Sequence, residues 1–145
     1  KNHAITGWRI GWLVDKKENI EEYAKVSRAS TACPPRVSQY AAIEALRKDS
    51  HVEEMCKVYE ERRDLLVERM EELGWDFVAP EGAIYAFPDT GKDSWDFCME
   101  IIEKGVAMVP GEPMGPGSDS NVRICFGSTT KKEIREAFDA LEKEF

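Results

Sequence analysis

Three basic residues stand at positions where they could do chemistry. Lys1 precedes Arg9 by eight residues, with Gly7-Trp8 just before the arginine, and Arg123 sits between Val122 and Ile124. A lysine amine forms a Schiff base once it is unprotonated, a state that desolvation and a neighbouring cation favour. A guanidinium stays charged and grips phosphate or carboxylate through two parallel N–H donors. Gly7 is expected to give the backbone the freedom that lets Arg9 fold back. Arg123 alternates with two apolar neighbours, which puts it on the opposite face of a strand, where it needs an anion. By residue type alone, Lys1 also reads as a solvated terminus, Arg9 as the partner of a carboxylate, and Arg123 as half of a structural ion pair.

Other chemistries fit less well. Cys33, Cys56, Cys98 and Cys125 form no CxxC pair, and neither His3 nor His51 lies near any of them in sequence. No zinc site is therefore expected. Scattered thiols in a chain with enough apolar residues for a core read as small buried hydrophobes in a reducing compartment. The glycine-containing loop 111–120 is not followed by the lysine of a phosphate loop. A net charge of −8 disfavours nucleic acid and anionic membrane as partners. No run approaches the length of a membrane helix and no signal peptide opens the chain, so a cytoplasmic protein is expected.

The elements that must position these residues follow from periodicity. Residues 8–14, WRIGWLV, read as a buried strand. A helix is predicted from Lys17 to about Ser30, then an ordered loop, STACPP, and a helix from Pro35 to about Lys48. Ser50 and Glu53 have capping-box spacing before a long helix that Gly74 ends. Val52, Met55, Cys56, Tyr59, Leu66, Met70 and Leu73 form its core-facing stripe. Strands are predicted at Asp76–Ala79 and Ile84–Phe87, and a helix at Trp95–Lys104 with Ser94 or Asp93 as cap. Strands at 106–110 and 121–126 and a last helix from about Lys131 to Phe145 complete the chain. The fold class is α/β, with a small mixed or antiparallel sheet covered by helices, one of them long. A division is expected at 48–50.

The motifs carry a resemblance. KNHAITGWRIGW is similar to the cofactor-lysine segment of fold-type I, class I/II aminotransferases, which depend on pyridoxal phosphate (PLP). STACPPRVSQYAAIEAL resembles that family's Ser-Asn-Pro-Pro loop and following helix, with Cys33 replacing a polar residue. PEGAIYAFPD resembles its Pro-x-Gly-Ala-Phe-Tyr strand, with Ile84 where Phe is common. VPGEPMGPGSDSNVRICFG resembles its loop closing on Arg-Ile-Ser, with Met114 and Cys125 departing from Phe and Ser. The resemblance implies that Lys1 is the catalytic, imine-forming lysine and Arg9 the cofactor-phosphate anchor. It implies further that Arg123 holds the substrate carboxylate, with Gly82 and Tyr85 bordering the substrate.

The same resemblance implies the C-terminal portion of an aspartate aminotransferase-like enzyme. Residues 1–48 would end the large PLP-binding domain and 49–145 would form the small domain. It implies transfer of an amino group between an amino acid and a 2-oxo acid by a homodimer. The family's remaining cofactor ligands normally precede the lysine, so this chain alone is expected to be inactive. Within the same cofactor class, a β-lyase or a cyclising synthase shares these motifs. A transcription regulator with an aminotransferase-like domain, or a non-catalytic scaffold domain, are readings from other classes. The apolar Ile84 and Met114 tilt the expected substrate away from a strictly acidic side chain.

Overall fold

The computed structural model describes residues 1–142. Two compact units divide inside the long helix, the first being Lys1–Met55 and the second running from Cys56 onward. This division lies a few residues beyond the domain boundary expected at 48–50.

In the first unit, α1 (Lys17–Ser30) and α2 (Arg36–Arg47) form where the apolar spacing places them, with Pro35 as the residue before α2. Gln39 Nε2 donates to the Pro34 carbonyl at 3.0 Å, tying the Pro-Pro loop to the first turn of α2. Residues 9–14 form no strand, against the reading of WRIGWLV. Trp12 is 59% exposed and Val14 89%. A strand exists only when its N–H and C=O groups find a neighbouring ladder, and the described residues offer this segment none.

The long helix α3 runs from Val52 to Glu72. Its start at Val52 leaves Ser50 outside the cap position, so the expected capping box is not the one used. Gly74, at φ +69°, closes it: the Trp75 amide donates to the Met70 carbonyl at 3.2 Å and the Gly74 amide to Glu71 at 2.9 Å. The core-facing stripe is narrower than predicted. Leu65, Leu66 and Met70 are buried, while Cys56 is exposed and Val52, Met55, Tyr59 and Leu73 are half-buried.

Helix α4 (Ser94–Ile102) is capped by Asp93, whose carboxylate accepts from the Trp95 and Asp96 amides, both at 3.0 Å. Helix α5 (Lys131–Leu141) opens with a reciprocal capping box between Thr130 and Glu133 that the sequence reading passed over. The Thr130 amide and hydroxyl hold the Glu133 carboxyl below its usual range. Residues 143–145, to which the predicted helix extends, lie outside the described residues.

Three short strands complete the second unit: β1 (Tyr85–Ala86), β2 (Val109–Pro110) and β3 (Val122–Cys125). Their order is β1-β3-β2, and both pairings are antiparallel. The expected strand at Asp76–Ala79 is reduced to one bridge, Asp76 with Asp89. Strand β3 is central, and Val122, Ile124 and Phe126 on one side of it are buried with Leu66, Met70, Phe97, Ile134 and Phe138. Trp75 fills the middle, its ring 5.8 Å from both Phe97 and Phe138. Of the four free thiols only Cys98 is buried, and burial pushes its pKa up. Cys33 and Cys56 are exposed, so the expectation of buried cysteines holds for one residue and fails for these two.

Phe138, 2% exposed, is the test of this core. Replacing it with Ala is expected to lower unfolding free energy by about 3–5 kcal/mol, measured by urea denaturation.

Candidate active site

The predicted site residues fall into one group in each compact unit. Lys1 and Arg9 are joined by a tightly turned loop and both are exposed. The Ala4 amide donates to the Lys1 carbonyl at 3.0 Å, and a single 3-10 turn at Thr6–Trp8 follows. Arg9 caps that turn in the left-handed region, φ 51° and ψ 48°, donating from its amide to the Thr6 carbonyl at 3.4 Å. The reversal is made by Ala4 (φ 53°) and Arg9, and Gly7 keeps a negative φ inside the turn. The freedom assigned to glycine is therefore supplied by two residues with a Cβ, at a cost of roughly 1–2 kcal/mol each.

His3 Nδ1 stands 3.2 Å from His51 Nε2, with ring centroids 5.2 Å apart. This bond ties the lysine loop to the residue just before α3. A separation of 48 positions hid it from any reading of local pattern.

Among the described residues, four non-glycine positions have positive φ: Ala4, Arg9, Ala32 and Ala83. All four lie in segments that resemblance had marked, the lysine loop, STACPP and PEGAIY. Strained backbone persists only where the surroundings over-determine it, and it gathers at functional sites.

Arg123 in the second unit is held by the register of β3. Tyr85 lies opposite Cys125, and Val109 opposite Arg123, so these four side chains share one face of the sheet. That face is the one turned away from the core. The Arg123 Cζ stands 5.0 Å from the centroid of the Tyr85 ring. Tyr85 is 39% exposed and Val109 40%. Ile84, just before β1, is buried in contact range of Gly127, and its carbonyl accepts from the Phe126 amide at 3.0 Å. Gly82 is exposed, and a Cβ there would meet nothing within 4 Å.

The half-buried arginines of this unit differ in their partners. Arg62 Nη1 donates to the Gly127 carbonyl at 2.9 Å. Arg63 pairs with Glu60 and Asp64. Arg69 pairs with Glu72, Asp139 and Glu142. Arg123 has no ion pair and no hydrogen bond to any described residue, only the Tyr85 ring. Arg9 likewise has no carboxylate partner among the described residues, and its guanidinium makes one long bond, 3.5 Å, to the Thr6 carbonyl.

The loop leading into β3 is pinned on several sides. The Trp95 indole N–H donates to Glu112. The Ser94 amide donates to the Asp119 carbonyl at 2.7 Å and the Thr90 amide to Ser120 at 3.0 Å. The Gly111 amide donates to the Asn121 carbonyl at 2.8 Å, an approach too close for a side chain. A cavity of about 400 Å³ also touches Arg123, and part of its wall is core-side, including Leu66, Ile134 and Phe138.

Comparison with known proteins decides the family. The family model for aminotransferase class I and II matches residues 1–141. The chain belongs to the class I and II aminotransferases. It is 39% identical to an aspartate aminotransferase of Pyrococcus abyssi over 99% of this chain and 38% of that protein. The identity is again 39% with aromatic-amino-acid aminotransferase 2 of Thermococcus litoralis, over 99% of this chain and 38% of that one. Its fold superimposes on a Thermus thermophilus aspartate aminotransferase tetra mutant with a TM-score of 0.84 at 36% identity, covering 99% of this chain and 40% of the other. The aminotransferase chain thus spans about two-fifths of the length of these relatives. Its mixed α/β architecture with a small antiparallel sheet is part of the aspartate aminotransferase fold. No described helix is long and apolar enough to cross a membrane.

Gly111 and Gly82 make a matched pair of tests. A Cβ on Gly111 would lie 2.5 Å from the Asn121 oxygen and 2.7 Å from the Ser118 oxygen. Gly111→Ala is expected to destabilise by about 1–3 kcal/mol, whereas Gly82→Ala is expected to stay within about 0.5 kcal/mol of the parent. Thermal unfolding of the two variants checks both.

Proposed function

We propose that this chain supplies the imine-forming amine and the two anion clamps of a PLP-dependent aminotransferase. The enzyme would move an amino group between an amino acid and a 2-oxo acid. The observation that carries this reading is Arg123, a half-buried guanidinium on a sheet face with no anionic partner among the described residues. A cation so placed costs desolvation and is kept where an anion arrives to use it.

Each residue then has one task. Arg123 takes the substrate carboxylate and fixes the substrate in one orientation. Arg9 takes the cofactor phosphate. It fits that role because its donors are not already committed to a carboxylate. Pyridoxal phosphate, when bound, supplies the electron sink that makes the substrate α-carbon acidic. Lys1 Nζ is the base that removes the α-proton. Lys1 is exposed in this chain, and a lysine serves as such a base under cover from water. We assign that cover to parts of the enzyme beyond these residues. Gly82 and Tyr85 border the substrate in the same reading.

The domain assignment follows the same logic. The first unit buries only Ser38 and Ala42 among its described residues and leaves Trp12, Leu13, Val26 and Tyr40 exposed. That is the pattern of a piece of a larger domain, which we take to be the large PLP-binding one, with the second unit as the small domain. A cytoplasmic homodimer is the assembly that this reading carries. The 145-residue chain by itself is expected to show no transamination, since it spans only 38% of the relatives' length.

Arg123→Gln in the full-length enzyme tests the reading. It removes two charge-assisted bonds, so KM for amino acid and 2-oxo acid is expected to rise about 10- to 100-fold, with a smaller change in kcat. Unchanged KM for both would contradict it.

A further inference from the structure

Tyr85 stands in an arrangement that its position in the motif does not explain. It pairs with Cys125 across the β1–β3 ladder, which makes it the diagonal neighbour of Arg123 on the same face. Its ring centroid is 5.0 Å from the guanidinium carbon. The other half-buried arginines of this unit have polar partners, carboxylates for Arg63 and Arg69 and a carbonyl for Arg62, which also lies 5.8 Å from the Tyr59 ring, whereas Arg123 has a ring alone among the described residues.

The difference has a chemical consequence. A carboxylate beside Arg123 would fix the guanidinium but would also neutralise it and occupy its donors. An aromatic face attracts the cation through its quadrupole and accepts no conventional hydrogen bond, so the N–H donors remain for an incoming anion. It also limits the rotamer freedom of a long side chain, so less of that freedom is lost when an anion orders it. The other side chains facing Arg123 on its sheet, Val109 and Cys125, carry no charge that would compete.

We propose that Tyr85 is a positioning residue for Arg123, holding the guanidinium ready for the substrate carboxylate through its ring and not through its hydroxyl. The proposal rests on Arg123 being the carboxylate clamp. It replaces a general bordering role for Tyr85 with a defined one.

The test uses the full-length enzyme and 3-phenylpropionate, a carboxylate with no amino group to react, whose Kd is read by calorimetry alongside KM and kcat. Tyr85→Phe keeps the ring and is expected to leave Kd and KM within about twofold. Tyr85→Leu removes it and is expected to raise both by about 3- to 10-fold, with kcat within about twofold. In an Arg123→Lys background, Tyr85→Leu is expected to have less than half that effect on a logarithmic scale. Loss of affinity in Tyr85→Phe equal to that in Tyr85→Leu overturns the proposal by assigning the effect to the hydroxyl, and this comparison stands even if the Leu variant fails to fold. An unchanged Kd in Tyr85→Leu overturns it as well. An Arg123→Lys variant that binds 3-phenylpropionate like the parent overturns the clamp reading itself, and with it this role for Tyr85.

Discussion

The antiparallel register of β3 is the constraint on which both the core and the site depend. Because side chains alternate along a strand, burying Val122, Ile124 and Phe126 against α3 and α5 obliges Arg123 and Cys125 to face the other way. Slipping the register by one residue would bury the guanidinium and expose three core side chains together. The energy that orders the second unit therefore also orients its candidate anion clamp. The pinned loop 111–120 and the close approach at Gly111 hold the edge strand β2 in the same register.

Strain at the other group of site residues has a different source. The lysine loop turns through left-handed Ala4 and Arg9, and a bond between His3 and His51 fastens it to the approach to α3. Glycine would make such turns more cheaply, but only a residue with a side chain can deliver a cation at the turn's end. Arg9 in the left-handed region does both tasks at one position.

Local pattern made much of the fold legible. Helix α1 came from apolar spacing, α2 from the proline before it and α4 from its cap, because those signals are confined to a few neighbouring residues. The alternation Val122-Arg123-Ile124 placed Arg123 on the correct face. What depended on distant partners was not legible. WRIGWLV has strand composition but finds no ladder among the described residues, and Ile84 is buried beside Gly127, 43 positions away in the chain. The Tyr85 ring meets Arg123 only across the β1–β3 ladder, and the two histidines meet only through the tertiary fold. Resemblance marked the segments that later proved strained, but not which residue in each carries the strain.

The central claim is that Lys1 is the amine joined to the cofactor in the intact enzyme. Borohydride reduction of full-length enzyme carrying its cofactor, followed by peptide mapping, fixes that bond where it stands. The account predicts a pyridoxyl group on Lys1, and a modified lysine anywhere else, or none, would contradict it.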